Sequence, residues 1–329
     1  MPHRRIILAS ILGIQLLVMV IIWKAYYETN TKFAKFLQSQ INLNLPKIHL
    51  IECSNRDTFT FKQLCVIESA SKHHPSYVIN VWTVSPKLQN DPNFVLIQKK
   101  YQNIDLVNID VTIFIEKLQL KKIWNKFKNS KCYVTHCNAL RILILKKFGG
   151  IYLDLDALVI KTFPNSENFI GFNEIGINEF ELAGGVMKFQ INHSIVQEMI
   201  LELSKSFDDT CTSNGPDLIK KVVKNLCEGK LENCHNLTIF DPYVFYPIPH
   251  FQWEELYGIN PKIDYSILTK FSYSVNLWNK LSLPIERAPK SSVIRKLAEE
   301  NCPNVNDIIM NFCQINPPCF PTPGVVIYY

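Results

Sequence analysis

The stretch "FGGIYLDLDALVI", residues 148–160, sets two aspartates, Asp154 and Asp156, into an otherwise apolar, strand-like run. Along a strand, residues two apart share a face, so both acids project together with about 6.6 Å between their α-carbons. Leu153, Leu155 and Ala157 then point the opposite way, toward covering helices. Like charges this close repel, and partial burial raises the cost unless a cation sits between them. A hard divalent ion with a preference for oxygen, Mn²⁺ or Mg²⁺, suits such a pair and keeps positions open for phosphate oxygens.

Outward from this run, strand and helix patterns alternate. "IHLIEC" (48–53) reads as a strand and "FKQLCVIESASKHH" as a helix with Leu64, Ile67 and Ser71 on one face. "YVINVWTVS" (77–85) and "IDLVNID" follow as strands, then a lysine-rich amphipathic stretch, "VTIFIEKLQLKKIWNKFK". "THCNALRILILKKFGG" is a helix stopped by Gly149-Gly150, directly before the acidic strand. Such alternation predicts an α/β fold with a mostly parallel sheet, helices on both faces, and ligands beyond the carboxyl ends of the strands. The C-terminal part is dense in proline and aromatic residues. The lysines read as a solvated helix face, and His73-His74 before Pro75 as a structural helix end.

Of the 329 residues, 47% are apolar and 19% charged, a globular composition. The net charge of +6 is mild and suits phosphate-bearing ligands or a membrane surface; no nucleic-acid partner is expected. Residues 1–5 are basic, and Ile6 to Trp23 form an uncharged run that reaches about 27 Å as a helix. A cleaved signal peptide also starts this way. The bulky exit through Trp23, Tyr26 and Tyr27 instead favours an uncleaved signal-anchor helix over 6–23. That places 1–5 in the cytoplasm, a stem at 24–46 and a lumenal domain at 47–329. Ten cysteines without a CxxC ladder point to disulfides in an oxidising lumen, with Cys227 and Cys234 close enough to staple a local loop. Asn192-His-Ser and Asn236-Leu-Thr are glycosylation acceptor patterns.

"LRILILKKFGGIYLDLDALVIKTF" (140–163) resembles the signature of the α1,4-glycosyltransferase family, an arginine on a helix followed by Gly-Gly-x-Tyr and Asp-x-Asp. The family includes lactosylceramide α1,4-galactosyltransferases and α1,4-N-acetylhexosaminyltransferases. "CVIESASKHHP", "NGPDLIKKVVKNLC", "FYPIPHFQW", "SVNLWNKLS" and "NCPNV" resemble further family segments, in order, over residues 48 to 305. The resemblance implies a GT-A-like nucleotide-sugar transferase domain in a type II, single-pass Golgi membrane protein. It also implies a UDP-sugar donor, retention of the α-anomeric configuration and a glycolipid or glycan acceptor. Asp154 and Asp156 would hold the metal, with Asn276 as a third ligand. Arg141, Asn138, Asp154, Asn214, Trp278 and Lys280 would contact the donor, UDP-galactose or UDP-N-acetylgalactosamine.

Several positions depart from the family pattern. Ser-Asp-x-x-Arg is Cys137-Asn138-Ala139-Leu140-Arg141 here, and Asn138 keeps an acceptor oxygen but not the charge. His-x-Trp-Asn-Lys is Asn276-Leu277-Trp278-Asn279-Lys280, Gln-Gly-Pro is Asn214-Gly215-Pro216, and Asn-Gly is replaced within Ala183-Gly184-Gly185. These changes leave two functional readings, an active transferase or a weakened or inactive Golgi binding protein on the same fold. A metal-dependent phosphohydrolase would need further carboxylates or histidines for a second ion, and the sequence shows no such cluster. His250 and Glu254, in the aromatic stretch, are acceptor-side candidates without a distinct signal.

Overall fold

The computed structural model describes residues 45–117, 133–175, 180–205, 215–227, 234–258 and 262–316. The tail, the anchor run, nearly all of the stem, residues 118–132 of the lysine-rich stretch and Asn214 lie outside these. Among the described residues no helix is long and apolar enough to cross a membrane.

The chain runs β1 (Lys47–Glu52), α1 (Phe61–His73), β2 (Val78–Thr83), α2 (Pro92–Lys100), β3 (Ile104–Asn108) and α3 (Val111–Lys117). It continues through α4 (Tyr133–Phe148), β4 (Gly150–Leu153), β5 (Ala157–Val159), β6 (Phe169–Ile175), β7 (Phe180–Phe189), α5 (Ser194–Lys205) and α6 (Pro216–Leu226). β8 (Thr238–Phe240), α7 (Pro242–Phe245), α8 (Tyr265–Phe271), β9 (Ser274–Asn276), α9 (Val293–Asn301) and α10 (Pro303–Ile315) complete it. The described strands form a seven-stranded sheet in the order β3-β2-β1-β4-β7-β6-β8. The β1–β2, β1–β4, β2–β3 and β6–β8 pairings are parallel, and β7 runs antiparallel to β4 and β6. The expected mostly parallel α/β sheet is therefore present. Alternate side chains feed two cores: Ile151 and Leu153 join the one that includes α1, α9 and α10, while Tyr152 joins the one that includes α4, α5 and α6.

One expectation is corrected. The run 148–160 is not a single strand: β4 ends at Leu153, and β5 belongs to a separate two-stranded sheet with β9. The Asp154 N–H donates to Gly185 O at 2.7 Å, the last contact with β7, and the Ala157 N–H then closes a turn onto Asp154 O at 3.0 Å. The two carboxylates thus meet in a turn between two sheets, and strand periodicity does not set their directions. A turn at the carboxyl end of the sheet leaves both acids only half-buried, which costs less than two charges inside a covered strand.

Gly149 and Gly150 end α4 with φ of +60° and +90°, and a Cβ on Gly150 would lie 2.6 Å from Lys47 O. No side chain fits there, so the turn into β4 depends on glycine.

The segment Cys65–Ser69 acts as scaffold. Helix α1 opens with a capping box, in which Thr60 Oγ1 accepts from the Gln63 N–H and Gln63 Oε1 accepts from the Thr60 N–H. The Cys65–Cys302 disulfide ties α1 to the end of α9. Fully buried Glu68 accepts from Tyr101 Oη, the Asn304 amide N–H and side chain, and the Val305 N–H, so it caps α10. Ser69 Oγ accepts from the Val159 N–H at 3.2 Å and so braces β5, directly after the acidic turn. Two more disulfides, Cys53–Cys137 and the expected Cys227–Cys234, join β1 to α4 and close the loop after α6. His74 Nε2 accepts from the Phe163 N–H and His73 contacts Asn301 Oδ1, which are structural roles.

Candidate active site

Beyond the carboxyl end of β4 lies a cavity of about 580 Å³. Its wall brings together Asn138, Arg141, Asp154, Asp156, Asn276, Trp278 and Lys280, residues from three separate parts of the sequence.

Arg141 reaches Asp154 from α4. Its Nη2 lies 3.1 Å from Asp154 Oδ1, its Nη1 donates to Gly184 O at 2.8 Å, and the guanidinium lies over the Tyr152 ring at 4.8 Å. The Tyr152 hydroxyl donates to the same carboxylate oxygen at 2.6 Å, and burial pushes its phenol well above the ordinary range, so it remains a donor. Asp154 is therefore oriented and charge-balanced. Its other oxygen, Oδ2, accepts only a long contact from Arg141 Nη1 at 3.5 Å, and Gly185 keeps it clear, since a Cβ there would sit 2.9 Å away.

Asp156 is different. Its main-chain oxygen accepts from the Leu277 N–H at 2.7 Å, but its buried Oδ1 has no hydrogen-bond partner among the described residues. Burial first, and the Asp154 charge second, push its carboxyl up to about 7, while the Asn279 N–H and the Lys62 and Arg141 cations oppose the shift. One balanced acid beside one with an unpaired oxygen is a donor set that a hard divalent ion completes. Among the described residues no group of three acidic, histidine or cysteine side chains is placed to hold a metal, so phosphate oxygens and water would fill the remaining positions.

A carboxyl raised in the fold favours the protein at low pH and loses that advantage as pH rises through its folded value. Metal-free protein is thus expected to lose the Asp156 contribution between about pH 4 and about pH 7. Mn²⁺ should raise the melting temperature more at pH 8 than at pH 5, since it binds the ionised acid. A thermal-shift series across pH checks this, and an equal Mn²⁺ shift at both ends would contradict it.

The C-terminal wall docks onto the acidic turn. β9 pairs Asn276 with Ala157, and Asn279 Nδ2 donates to Leu155 O at 2.9 Å. Asn276 lines the cavity, but its Oδ1 already accepts from the Trp278 N–H at 2.8 Å and so supports the left-handed Trp278 backbone, φ +50°. Trp278 is held by its indole N–H on Ile248 O, with the His250 and Tyr246 rings beside it. Lys280 is exposed at the mouth. Asn138 is buried against Gly215, where a Cβ would lie 2.8 Å from its amide nitrogen. Sequence reasoning missed Lys62, whose buried ammonium donates to Ser282 Oγ at 2.8 Å and so ties this loop to α1. No motif marks it, since a lone lysine at a helix start looks solvated.

Residues 60–180 match the family model described as glycosyltransferase sugar-binding region containing DXD motif, and residues 188–309 match the alpha 1,4-glycosyltransferase conserved region. Lactosylceramide 4-alpha-galactosyltransferase of Mus musculus is 26% identical, over 79% of this chain and 75% of that protein. Alpha-1,4-N-acetylglucosaminyltransferase of Homo sapiens is 24% identical, over 82% and 78%. Among solved structures, PaToxG glycosyltransferase shows a distant likeness, with a TM-score of 0.47 at 15% identity over 86% of this chain and 97% of that one. With two glycosyltransferase regions side by side along the chain and the Asp-x-Asp turn at the cavity, this protein is a glycosyltransferase, similar to enzymes of the α1,4 family.

Proposed function

We propose that the protein transfers galactose or N-acetylgalactosamine from a UDP-sugar to a galactose-type hydroxyl of a glycolipid or glycan, in α1,4 linkage and with retention. The observation that carries this reading is the unsatisfied Asp156 oxygen beside the Arg141-held Asp154 in a cavity large enough for a nucleotide sugar. A bound Mn²⁺ or Mg²⁺ would supply charge stabilisation for the departing diphosphate. The chain's own groups do the rest. Arg141 and Tyr152 fix the Asp154 carboxylate, the β9 loop presents Trp278 over the cavity, and Lys280 at its mouth offers a cation to the diphosphate. The acceptor oxygen forms its bond to the anomeric carbon as the bond to the UDP oxygen breaks, and the departing phosphate takes the acceptor proton. Attack on the same face, with the departing phosphate as the base, is the route that the family resemblance favours.

Three described disulfides fit an oxidising compartment and so support a Golgi-lumenal site for the domain. Asn192 and Asn236 are both exposed, as glycan carriers must be. Protein from a secretory host should lose apparent mass on enzymatic deglycosylation, and Asn192→Gln and Asn236→Gln should each remove one step. Unchanged mobility in both variants would refute glycan attachment.

The test of function is release of UDP by the full-length chain with Mn²⁺, from UDP-galactose and UDP-N-acetylgalactosamine, with and without lactosyl acceptors. Acceptor-stimulated release from one donor supports the proposal and identifies the sugar. Metal-dependent UDP binding without release from either donor would point to a binding protein instead.

A further inference from the structure

Among the described residues, four buried polar atoms on side chains lining the cavity lack a well-aligned hydrogen-bond partner: Arg141 Nε and Asp156 Oδ1 at the acidic turn, and the uncharged Asn173 Oδ1 and Tyr246 Oη. Unpaired buried polar groups are costly and rare, so the two uncharged ones on one cavity wall mark a place for a polar ligand.

Both are placed by identifiable devices. In the β6–β7 ladder Phe172 pairs with Leu182 and Glu174 with Glu181, which leaves Asn173 as the extra residue of a β-bulge. Bulges beside active sites re-aim side chains, and this one puts an amide into the cavity wall. Tyr246 is 2% exposed and is accommodated by two glycines. A Cβ at Gly171 would lie 3.3 Å from its ring edge, and one at Gly185 would lie 3.0 Å from its hydroxyl. The Val186 N–H faces the phenol oxygen, which leaves its O–H to donate. The wall thus offers an amide oxygen that accepts and a phenol that donates, both uncharged, beside the charged Arg141–Asp154 pair. Phosphate oxygens would not seek the amide oxygen. Sugar hydroxyls, each donor and acceptor at once, match both groups.

We propose that Asn173 and Tyr246 form the hexose-recognition pair of this cavity. Asn173 supplies from the β6 bulge the amide that the family pattern places on the adjoining strand, where this chain has Ala183. The inference rests on the proposed transferase function. It names the chemistry recognised, a neutral hexose, whether carried by the donor or by the acceptor.

The test compares wild type, Asn173→Ala and Tyr246→Phe as full-length chains with Mn²⁺. Calorimetry measures UDP, UDP-galactose and UDP-N-acetylgalactosamine, and kinetics give KM for lactose. Tyr246→Phe keeps the ring, so folding is retained. If the pair reads the donor hexose, UDP affinity stays within about twofold of wild type while UDP-hexose affinity falls about three- to tenfold in each variant. If it reads the acceptor, both nucleotide affinities hold and KM for lactose rises by that factor. Either result supports the pair. Unchanged hexose binding and unchanged KM, or an equal loss for UDP and UDP-hexose, overturns it while leaving the transferase reading in place. Failure of the wild type to bind UDP with Mn²⁺ overturns both.

Discussion

Replacing either aspartate should lower transfer by at least about 10³-fold, because the charge on departing UDP then lacks its stabiliser. The two variants should nevertheless differ in stability. Asp156→Asn removes a carboxylate that burial and Asp154 already disfavour, so the metal-free protein should melt no lower, and higher above pH 7. Asp154→Ala leaves the buried Arg141 guanidinium without its carboxylate and the Tyr152 hydroxyl without its acceptor. Because Asp154 is partly exposed, the cost is about 2–3 kcal/mol. Activity assays with thermal unfolding of both variants, with and without Mn²⁺, read all of this at once. Retained transfer in either variant, or a Mn²⁺ shift that survives in both, would remove the acidic turn from its assigned role.

The second large effect lies away from the cavity. Glu68→Ala is expected to destabilise the protein by about 3–5 kcal/mol, because buried donors from Tyr101, Asn304 and Val305 lose one shared acceptor. Glu68→Gln keeps one acceptor oxygen but brings an NH₂ group against donors, so it should cost about half as much. Denaturant unfolding measures both, and a loss below about 1 kcal/mol for the alanine variant would show that the cap on α10 is dispensable. The Cys65–Cys302 disulfide spans the same junction and limits separation of the helices without replacing the lost acceptor.

The sequence made the sheet legible because its strands are short apolar runs punctuated by glycine and proline, and buried parallel strands carry that signal strongly. It also marked Asp154, Asp156 and Arg141, since charge inside apolar surroundings is conspicuous. The break of 148–160 into two strands was hidden, because Leu153-Asp-Leu-Asp-Ala157 alternates as a continuous strand would, and only the Gly185 and Asn276 partners divide it. Asn173 and Tyr246 were unreadable for a related reason. A bulge is a property of two paired strands, and an unsatisfied hydroxyl exists only once its surroundings are known. Asn276 shows the converse, a residue type suited to metal whose oxygen turns out to brace Trp278.

The pairing of β5 with β9 also fixes when the site can exist. The aspartates leave the ribosome well before the strand that completes their turn, with about 120 residues still to be made, which at cellular elongation rates takes on the order of 10 s. Through that interval the β5 edge is open and Asp156 lacks the Leu277 and Asn279 contacts. Nascent or prematurely terminated chains that stop short of β9 therefore carry the acidic signature without a finished cavity, and catalytic competence cannot precede synthesis of β9.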